Sequence, residues 1–409
     1  MAPEFLPGNR LTLLNSGGEY FPALLAAIEA ASVEIYLESY IFADDEIGHE
    51  VAGALCRAAQ RGVQVNATVD GFGGHNFSTD FLPRLTEAGV RAMVYRPEIG
   101  RFRFRRHRLR RLHRKLVVID ARIAFIGGIN IIDDNNALPD MRPRFDYATR
   151  LEGPAVAQVH HAVRHLWEIV SWVNFKRRYR LAPPSPPNAT IAGTQTAAFL
   201  IRDNIRHRND ILHAYIQAIN DAKSEILIAN AYFLPGVRFG LALQAAAKRG
   251  VKISVLLQGK TDHPMLRFAT QALYSAALEN GIHIFEYEKS FMHAKVAVID
   301  GHWATVGSSN IDPFSLLLAK EANLVVRDRV FAGQLETGIR AAIASGSREM
   351  GIDEIRRQPW HSRFMRWLSY ALVRAMVGIA GYGPKHWQAD EETPGLTADS
   401  AKESPPGAG

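Results

Sequence analysis

The chain has 409 residues, long enough for roughly two or three domains with sizeable cores. Apolar residues at 47% and charged residues at 22% exclude a wholly disordered, collagen-like or coiled-coil chain. A net charge of +7 favours an anionic partner: nucleic acid, anionic lipid or a phosphate ester.

The opening MAPEFLPGNRLTLL has neither a positive leader nor a long apolar run, so no secretory signal is expected. The apolar spacing of PALLAAIEA predicts a helix, and the short β-branched and aromatic run EIYLESYIF predicts a strand. The helix EVAGALCRAAQRG stops at Gly62, and VQVNATVD follows as a strand. Cys56 in that helix is the chain's single cysteine and is read as a core residue. It excludes an intramolecular disulfide and a cysteine zinc site, and a reducing compartment is the natural reading. LPRLTEAGVRAMVY predicts a further helix and strand. Residues 101–115, RFRFRRHRLRRLHRK, then hold eight arginines, one lysine and no acid. His75 and His107 have no matched partner elsewhere and are read as incidental.

The order repeats. LHAYIQAIN, EILIANAYF, LALQAAAKRG with Gly250, VKISVLLQ and LYSAALENGIHIFEY match the first series element by element. Each series ends in a hairpin, LHRKLVVIDARIAFIGGIN in the first and MHAKVAVIDGHWATVGSSN in the second. Alternating helices and strands predict an α/β fold. Two pseudo-symmetric domains are expected, each a mostly parallel sheet flanked by helices, with a shared site at their interface. The expected divisions are a first half at 1–180, a Pro-rich linker at 181–195, a second half at 196–345, an amphipathic C-terminal helical region at 346–388 and a disordered tail at 389–409. No stretch reaches the ~18 apolar residues of a spanning helix. In 363–380, Arg363, Arg366 and Arg374 share one arc, with Phe364, Leu368, Leu372, Ala375 and Ile379 roughly opposite. That pattern suits an interfacial helix or one packed on the protein's own core.

The hairpins carry the chemistry. The first holds His113, Lys115, Asp120, Gly127, Gly128 and Asn130; the second holds His293, Lys295, Asp300, Gly307, Ser308 and Asn310, at the same offsets of 2, 7, 14, 15 and 17 from the histidine. Residues i and i+2 of a strand face one way, so each half presents an imidazole beside an ammonium, and its Gly-rich loop returns an asparagine. Two lysines and two asparagines suit the non-bridging oxygens of a phosphodiester and the charge of its transition state, with no divalent cation needed. One histidine can attack phosphorus while the other protonates the leaving alkoxide. Asp120 and Asp300 fall at the hairpin turns, where capping the turn competes with a catalytic role.

The duplicated H-x-K-x4-D-x6-G-[GS]-x-N signature resembles the phospholipase D superfamily. Across roughly residues 8–345 the chain resembles bacterial cardiolipin synthases of the B type, through VEIYLESYIFADDEIG, LHRKLVVIDARIAFIGGINI and DYATRLEGPAVAQV. The resemblance implies His113 as nucleophile and His293 as acid and base. It implies that Asp146 and Glu321, 33 and 28 residues after their histidines, bond the catalytic imidazoles. Gly128 departs from the pattern, and a hydroxyl that Ser308 would offer phosphate is missing there.

The implied reaction transfers a phosphatidyl group from one phosphatidylglycerol to another through a phosphohistidine, giving cardiolipin and glycerol. A phospholipase D-type hydrolase, a phosphodiester nuclease and a binding protein with dead sites are the competing readings. No cofactor and no metal are expected. The partner is an anionic phospholipid membrane rather than nucleic acid, with the protein peripheral on the cytoplasmic face of the inner membrane and its oligomeric state open. The basic run at 101–111 is one candidate contact and the 363–380 helix the other.

Overall fold

A left-handed backbone closes two matched helices. Gly62 and Gly250 take φ of +92° and +88° just past helices Glu46–Gln60 and Val237–Lys248, a conformation glycine adopts without the strain of a Cβ. The computed structural model describes residues 3–97, 111–174, 190–203, 206–260, 264–312, 315 and 319–379. The basic run through Arg110, most of the Pro-rich linker, and the tail at 389–409 lie outside the described residues.

The first half runs β1 (Leu6–Asn15), α1 (Ser16–Glu29), β2 (Glu34–Ser39), α2 (Glu46–Gln60), β3 (Gln64–Asp70), α3 (Phe77–Asp80), α4 (Leu82–Glu87), β4 (Arg91–Tyr95), β5 (Leu116–Ile119), β6 (Ile123–Gly127), β7 (Tyr147–Glu152) and α5 (Val156–Val173). The second runs β8 (Gln195–Arg202), α6 (Asp210–Asp221), β9 (Glu225–Asn230), α7 (Val237–Lys248), β10 (Lys252–Gln258), α8 (Pro264–Gln271), α9 (Tyr274–Glu279), β11 (Ile282–Tyr287), β12 (Lys295–Ile299), β13 (Trp303–Gly307), β14 (Glu321–Arg327) and α10 (Arg329–Gly346). β15 (Ser347–Glu349), α11 (Ile352–Arg356) and α12 (Trp360–Ile379) follow.

The strands join in one sheet, ordered β15-β11-β10-β9-β12-β13-β14-β8-β1-β7-β6-β5-β2-β3-β4. Outward from the β1–β8 seam, each half repeats the same sequence of neighbours. Within each half, the expectation of a mostly parallel sheet is corrected. Parallel pairing is confined to β2-β3-β4 and β9-β10-β11, the strands joined by helical crossovers. The hairpins β5–β6 and β12–β13 reverse direction, and β7, β14, β1 and β8 continue antiparallel.

At the seam, Leu6 faces Ala197 and Asn9 faces Gln195 across an irregular register. Buried Asn9 ties the seam down, donating to the Leu6 and Gln195 carbonyls and accepting from the Ala155 N–H. Each half has its own outer core, and a third core is shared. Val159, Val163 and Trp167 of α5 pack there with Leu335 and Ile339 of α10 and with both halves' strands. The second half does not stop at residue 345. β15 adds an antiparallel edge strand to β11, and Ile355 enters the second outer core.

Candidate active site

The halves exchange backbone hydrogen bonds where the signatures begin. The His113 N–H donates to the Lys320 carbonyl at 2.9 Å, and the Lys320 N–H to the Arg111 carbonyl at 2.8 Å. In the other direction, the His293 N–H donates to the Phe145 carbonyl at 2.7 Å, and the Phe145 N–H to the Phe291 carbonyl at 2.9 Å. The segment that carries each histidine, just before β5 or β12, therefore runs beside the segment that leads into the other half's carboxylate. Behind each, a polar residue closing a parallel strand holds the preceding backbone. Asp70 accepts from the Leu112 N–H at 2.8 Å, and Gln258 from the Met292 N–H at 2.6 Å.

This lacing crosses the two predicted orienters. His113 Nδ1 lies 2.9 and 3.0 Å from the oxygens of Glu321, and His293 Nδ1 lies 2.8 Å from Asp146 Oδ2. Each imidazole is thus bonded through Nδ1 by a carboxylate of the opposite half, which leaves Nε2 outside that bond. Both carboxylates are buried, as are Lys115 and Lys295, and each lysine ammonium donates to the carbonyl of its own histidine.

Burial sets the electrostatics. It lowers the His113 pKa, against the pull of Glu321, and drives that of His293 well below the usual imidazole range with help from Lys295 and Lys115. Lys115 is brought down to about 7 by burial and by the facing charge of Lys295. Burial lifts Asp146 to about 7. Glu321 is also pushed up by burial, but His113, Lys115 and the Ser308 hydroxyl outweigh that and hold it below its ordinary value. Burial favours the neutral form of both imidazoles, and the charge of Lys295 works against that of Lys115, a repulsion that an anion between the lysines would relieve.

Other predicted residues take different places. Asp120 accepts from the Ser32, Val33 and Glu34 N–H groups and the Ser32 hydroxyl. Asp300 does the same with Lys223, Ser224 and Glu225. Both clamp the turn at the far end of β5 or β12 from the histidine, so the grouping of Asp120 and Asp300 with the catalytic residues is corrected. Their carboxylates are spent on backbone donors at the starts of β2 and β9.

Ser308 is also reassigned. Fully buried, its hydroxyl donates to Glu321 Oε2 at 2.5 Å and accepts from the Ala322 N–H at 3.0 Å, so it holds the carboxylate rather than a phosphate. At Gly128, a Cβ would sit 2.4 Å from both oxygens of Asp146, which fill the space that a serine side chain would need. Asn130 accepts from the Ile41 N–H through Oδ1 at 3.0 Å, turning its amide donor the other way. Asn310 donates to the Ser315 hydroxyl at 3.2 Å.

Two aromatic residues were not anticipated. Tyr40 meets the His113 ring edge-on at 4.9 Å, with the Lys115 ammonium 5.4 Å from its centroid. Phe291 stacks on His293 at 6.0 Å. The usable signal was asymmetry, since aligning EIYLESYIF with EILIANAYF puts Tyr40 opposite Ala231. Asp70 and Gln258 were legible as the polar residues ending two matched apolar strands. Among the described residues, no group of three or more His, Cys, Asp and Glu side chains could hold a metal ion.

Comparison with known proteins identifies the family. The family described as "Cardiolipin synthase, PLD-like domain" matches residues 24–167 and 215–342. Cardiolipin synthase B of Escherichia coli (strain K12) is 37% identical over 93% of this chain and 91% of that protein. The major cardiolipin synthase of Bacillus subtilis (strain 168) is 30% identical over 87% and 73%. In fold alone, the chain is similar to the crystal structure of phosphatidylserine synthase from Haemophilus influenzae Rd KW20, with a TM-score of 0.64, 14% identity and coverage of 91% of this chain and 95% of that one. The chain, with its paired and interlaced histidine hairpins, therefore belongs to the phospholipase D-like cardiolipin synthase family.

Proposed function

We propose that this protein transfers the phosphatidyl group of one phosphatidylglycerol to the glycerol hydroxyl of a second, giving cardiolipin and free glycerol. The observation that carries the reading is the pair of imidazoles flanking two buried lysines, each imidazole held through Nδ1 by the other half's carboxylate. Ionised Glu321 keeps the proton of His113 on Nδ1, so the Nε2 lone pair is available to attack phosphorus. The P–N bond forms as the bond from phosphorus to the glycerol headgroup oxygen breaks, and His293 Nε2 supplies a proton to that oxygen. Lys115 and Lys295 balance the charge gathered on the non-bridging oxygens.

His293 must carry a proton for this step. The substrate's negative charge, together with ionised Asp146, raises its affinity for one. The second phosphatidylglycerol then gives its hydroxyl proton to His293 while its oxygen displaces His113 from phosphorus. No divalent cation is required by these groups.

The protein would act at the cytoplasmic face of the inner membrane as a peripheral enzyme. No described helix is long and apolar enough to cross a bilayer. The halves would behave as two domains about residues 181–195, sharing one site.

Incubation with phosphatidylglycerol vesicles, followed by mass spectrometry, tests the reaction. Cardiolipin and glycerol should appear in equal amounts. Phosphatidic acid as the main product would replace transfer with hydrolysis. Trapping with a slow substrate should put the adduct on His113, and an adduct on His293 would exchange the two roles.

A further inference from the structure

The apolar arc of the C-terminal helix α12 stays exposed at Phe364, Leu372 and Ala375, and its outward face extends to Trp360 and Trp367. Arg366, Ser369 and Val373 are buried, whereas Trp360, Phe364 and Trp367 are 78%, 49% and 60% exposed. Arg366 is drawn in toward buried Glu286, which also takes Arg267, Gln271 and Tyr274 as partners. Of the three arginines that share one arc on the wheel, Arg366 is therefore turned inward while Arg363 and Arg374 stay exposed. The exposed aromatics sit at i, i+4 and i+7, within an arc of about 60° at the helical 100° per residue. Arg363 and Arg374 are exposed beside them, and the helix carries no acid.

The location of this face matters as much as its composition. Val373 forms a small core with Leu234 and Ala269, and Tyr370, Leu266 and Leu273 pack against it. The Leu234 N–H donates to the Ile311 carbonyl at 2.7 Å, next to Asn310 of the second signature. Helix α8, on which α12 rests, lines a small cleft with Gln258, the residue that holds the backbone before His293. The helix that carries the aromatic face therefore packs at the end of the sheet where the histidines emerge.

We infer that the Trp360–Phe364–Trp367 face of α12 is a docking surface for an anionic bilayer, seating the second half's side of the site against the leaflet that supplies the lipid. This rests on the lipid-transfer reading above. Tryptophan and phenylalanine flanked by arginine suit the headgroup boundary, where the rings enter the acyl edge and the guanidiniums meet lipid phosphates. A second copy of the chain would bring cationic helix against cationic helix, whereas an anionic leaflet balances the charge.

The test is flotation of the full chain with vesicles of phosphatidylcholine alone or mixed with phosphatidylglycerol. The parent should float with the mixed vesicles, less so at high salt, and its tryptophan fluorescence should be quenched by brominated acyl chains. The triple variant Trp360→Ser, Phe364→Ser, Trp367→Ser should lose at least about tenfold in partitioning, since a single remaining anchor binds only marginally. Its thermal midpoint and its activity on detergent-dispersed phosphatidylglycerol should stay near the parent's, because the three side chains support no core.

Equal flotation of parent and triple variant would overturn the inference. So would a parent dimer that the triple variant abolishes, or quenching that appears only when residues 389–409 are removed. A parent that floats through this face but makes no cardiolipin would defeat the transfer reading and leave the docking surface standing.

Discussion

The two half-sites follow one chain path yet hold their histidines by different means. Glu321 reaches His113 with a serine hydroxyl braced against it, while Asp146 reaches His293 from a position where no side chain fits at residue 128. The shorter acid and the missing Cβ belong together, as do the longer acid and the serine. Glu321 stays ionised, but Asp146 titrates near neutrality. Behind the histidines the contrast is sharper. Arg114 and Glu38 form a buried ion pair at 2.9 Å in the first half, where the second has Ala294 and Ala229. Lys320, brought down to about 8 by burial and by Arg114, stands where the other half has Phe145. A duplicated backbone thus supplies two similar imidazoles, and unlike surroundings allow them unlike roles.

The largest effect should come from the histidines themselves. His113→Ala and His293→Ala should each abolish turnover, and the double variant should be no worse than either single one, because nucleophile and acid act as a unit. Product analysis over long incubations checks this; full activity in either single variant would refute a shared site.

The buried ion pair comes next. Arg114→Ala leaves Glu38 buried without its partner and should cost about 3–5 kcal/mol of stability, measured by chemical denaturation. Glu38 already sits near pKa 7, pushed up by burial and restrained by Arg114. The variant's penalty should therefore shrink as pH falls and Glu38 takes up a proton, and grow as pH rises. The double variant Arg114→Ala, Glu38→Ala recreates the pattern of the second half and should recover most of the loss. Failure to recover would mean that the two halves do not tolerate one another's packing.

The carboxylate supports allow a finer comparison. Gly128→Ser should displace Asp146 and lower kcat by roughly a hundredfold, the scale set by misplacing a positioned group. Ser308→Ala removes one hydrogen bond to a charged group, about 1.5–3 kcal/mol, and should cost roughly ten- to a hundredfold in kcat with little change in KM. Equal effects of the two substitutions on the pH profile would contradict the unequal acidities of Asp146 and Glu321.

The mildest effect is on pH dependence. kcat/KM should rise as pH climbs toward 7 and Asp146 ionises, then fall as Lys115, also near 7, loses its proton. The limbs belong to the coupled pair rather than to either residue alone. Lys115→Arg keeps the charge at all accessible pH, so its descending limb should flatten if Lys115 is responsible.

Some of this architecture is legible in the sequence alone. Offsets of 2, 7, 14, 15 and 17 in both hairpins identify His113, Lys115, His293 and Lys295 as one chemical set, because a duplicated spacing is read along the chain and survives any tertiary arrangement. The repeated helix–strand order implies a duplicated α/β fold for the same reason, and the glycine stops at Gly62 and Gly250 mark helix ends.

Only the tertiary structure decided which carboxylate meets which histidine. Glu321 and Asp146 look like partners of the nearer preceding histidine along the chain, yet the Lys320–His113 and Phe145–His293 backbone bonds exchange them. It also decided that Asp120 and Asp300 clamp turns, that Ser308 braces an acid, and that Arg366 points inward. Each outcome depends on which unsatisfied donor or buried charge lies within about 3 Å, the reach of a hydrogen bond. Sequence spacing orders residues along a strand, but nearness across two halves is set by how their sheets and helices pack.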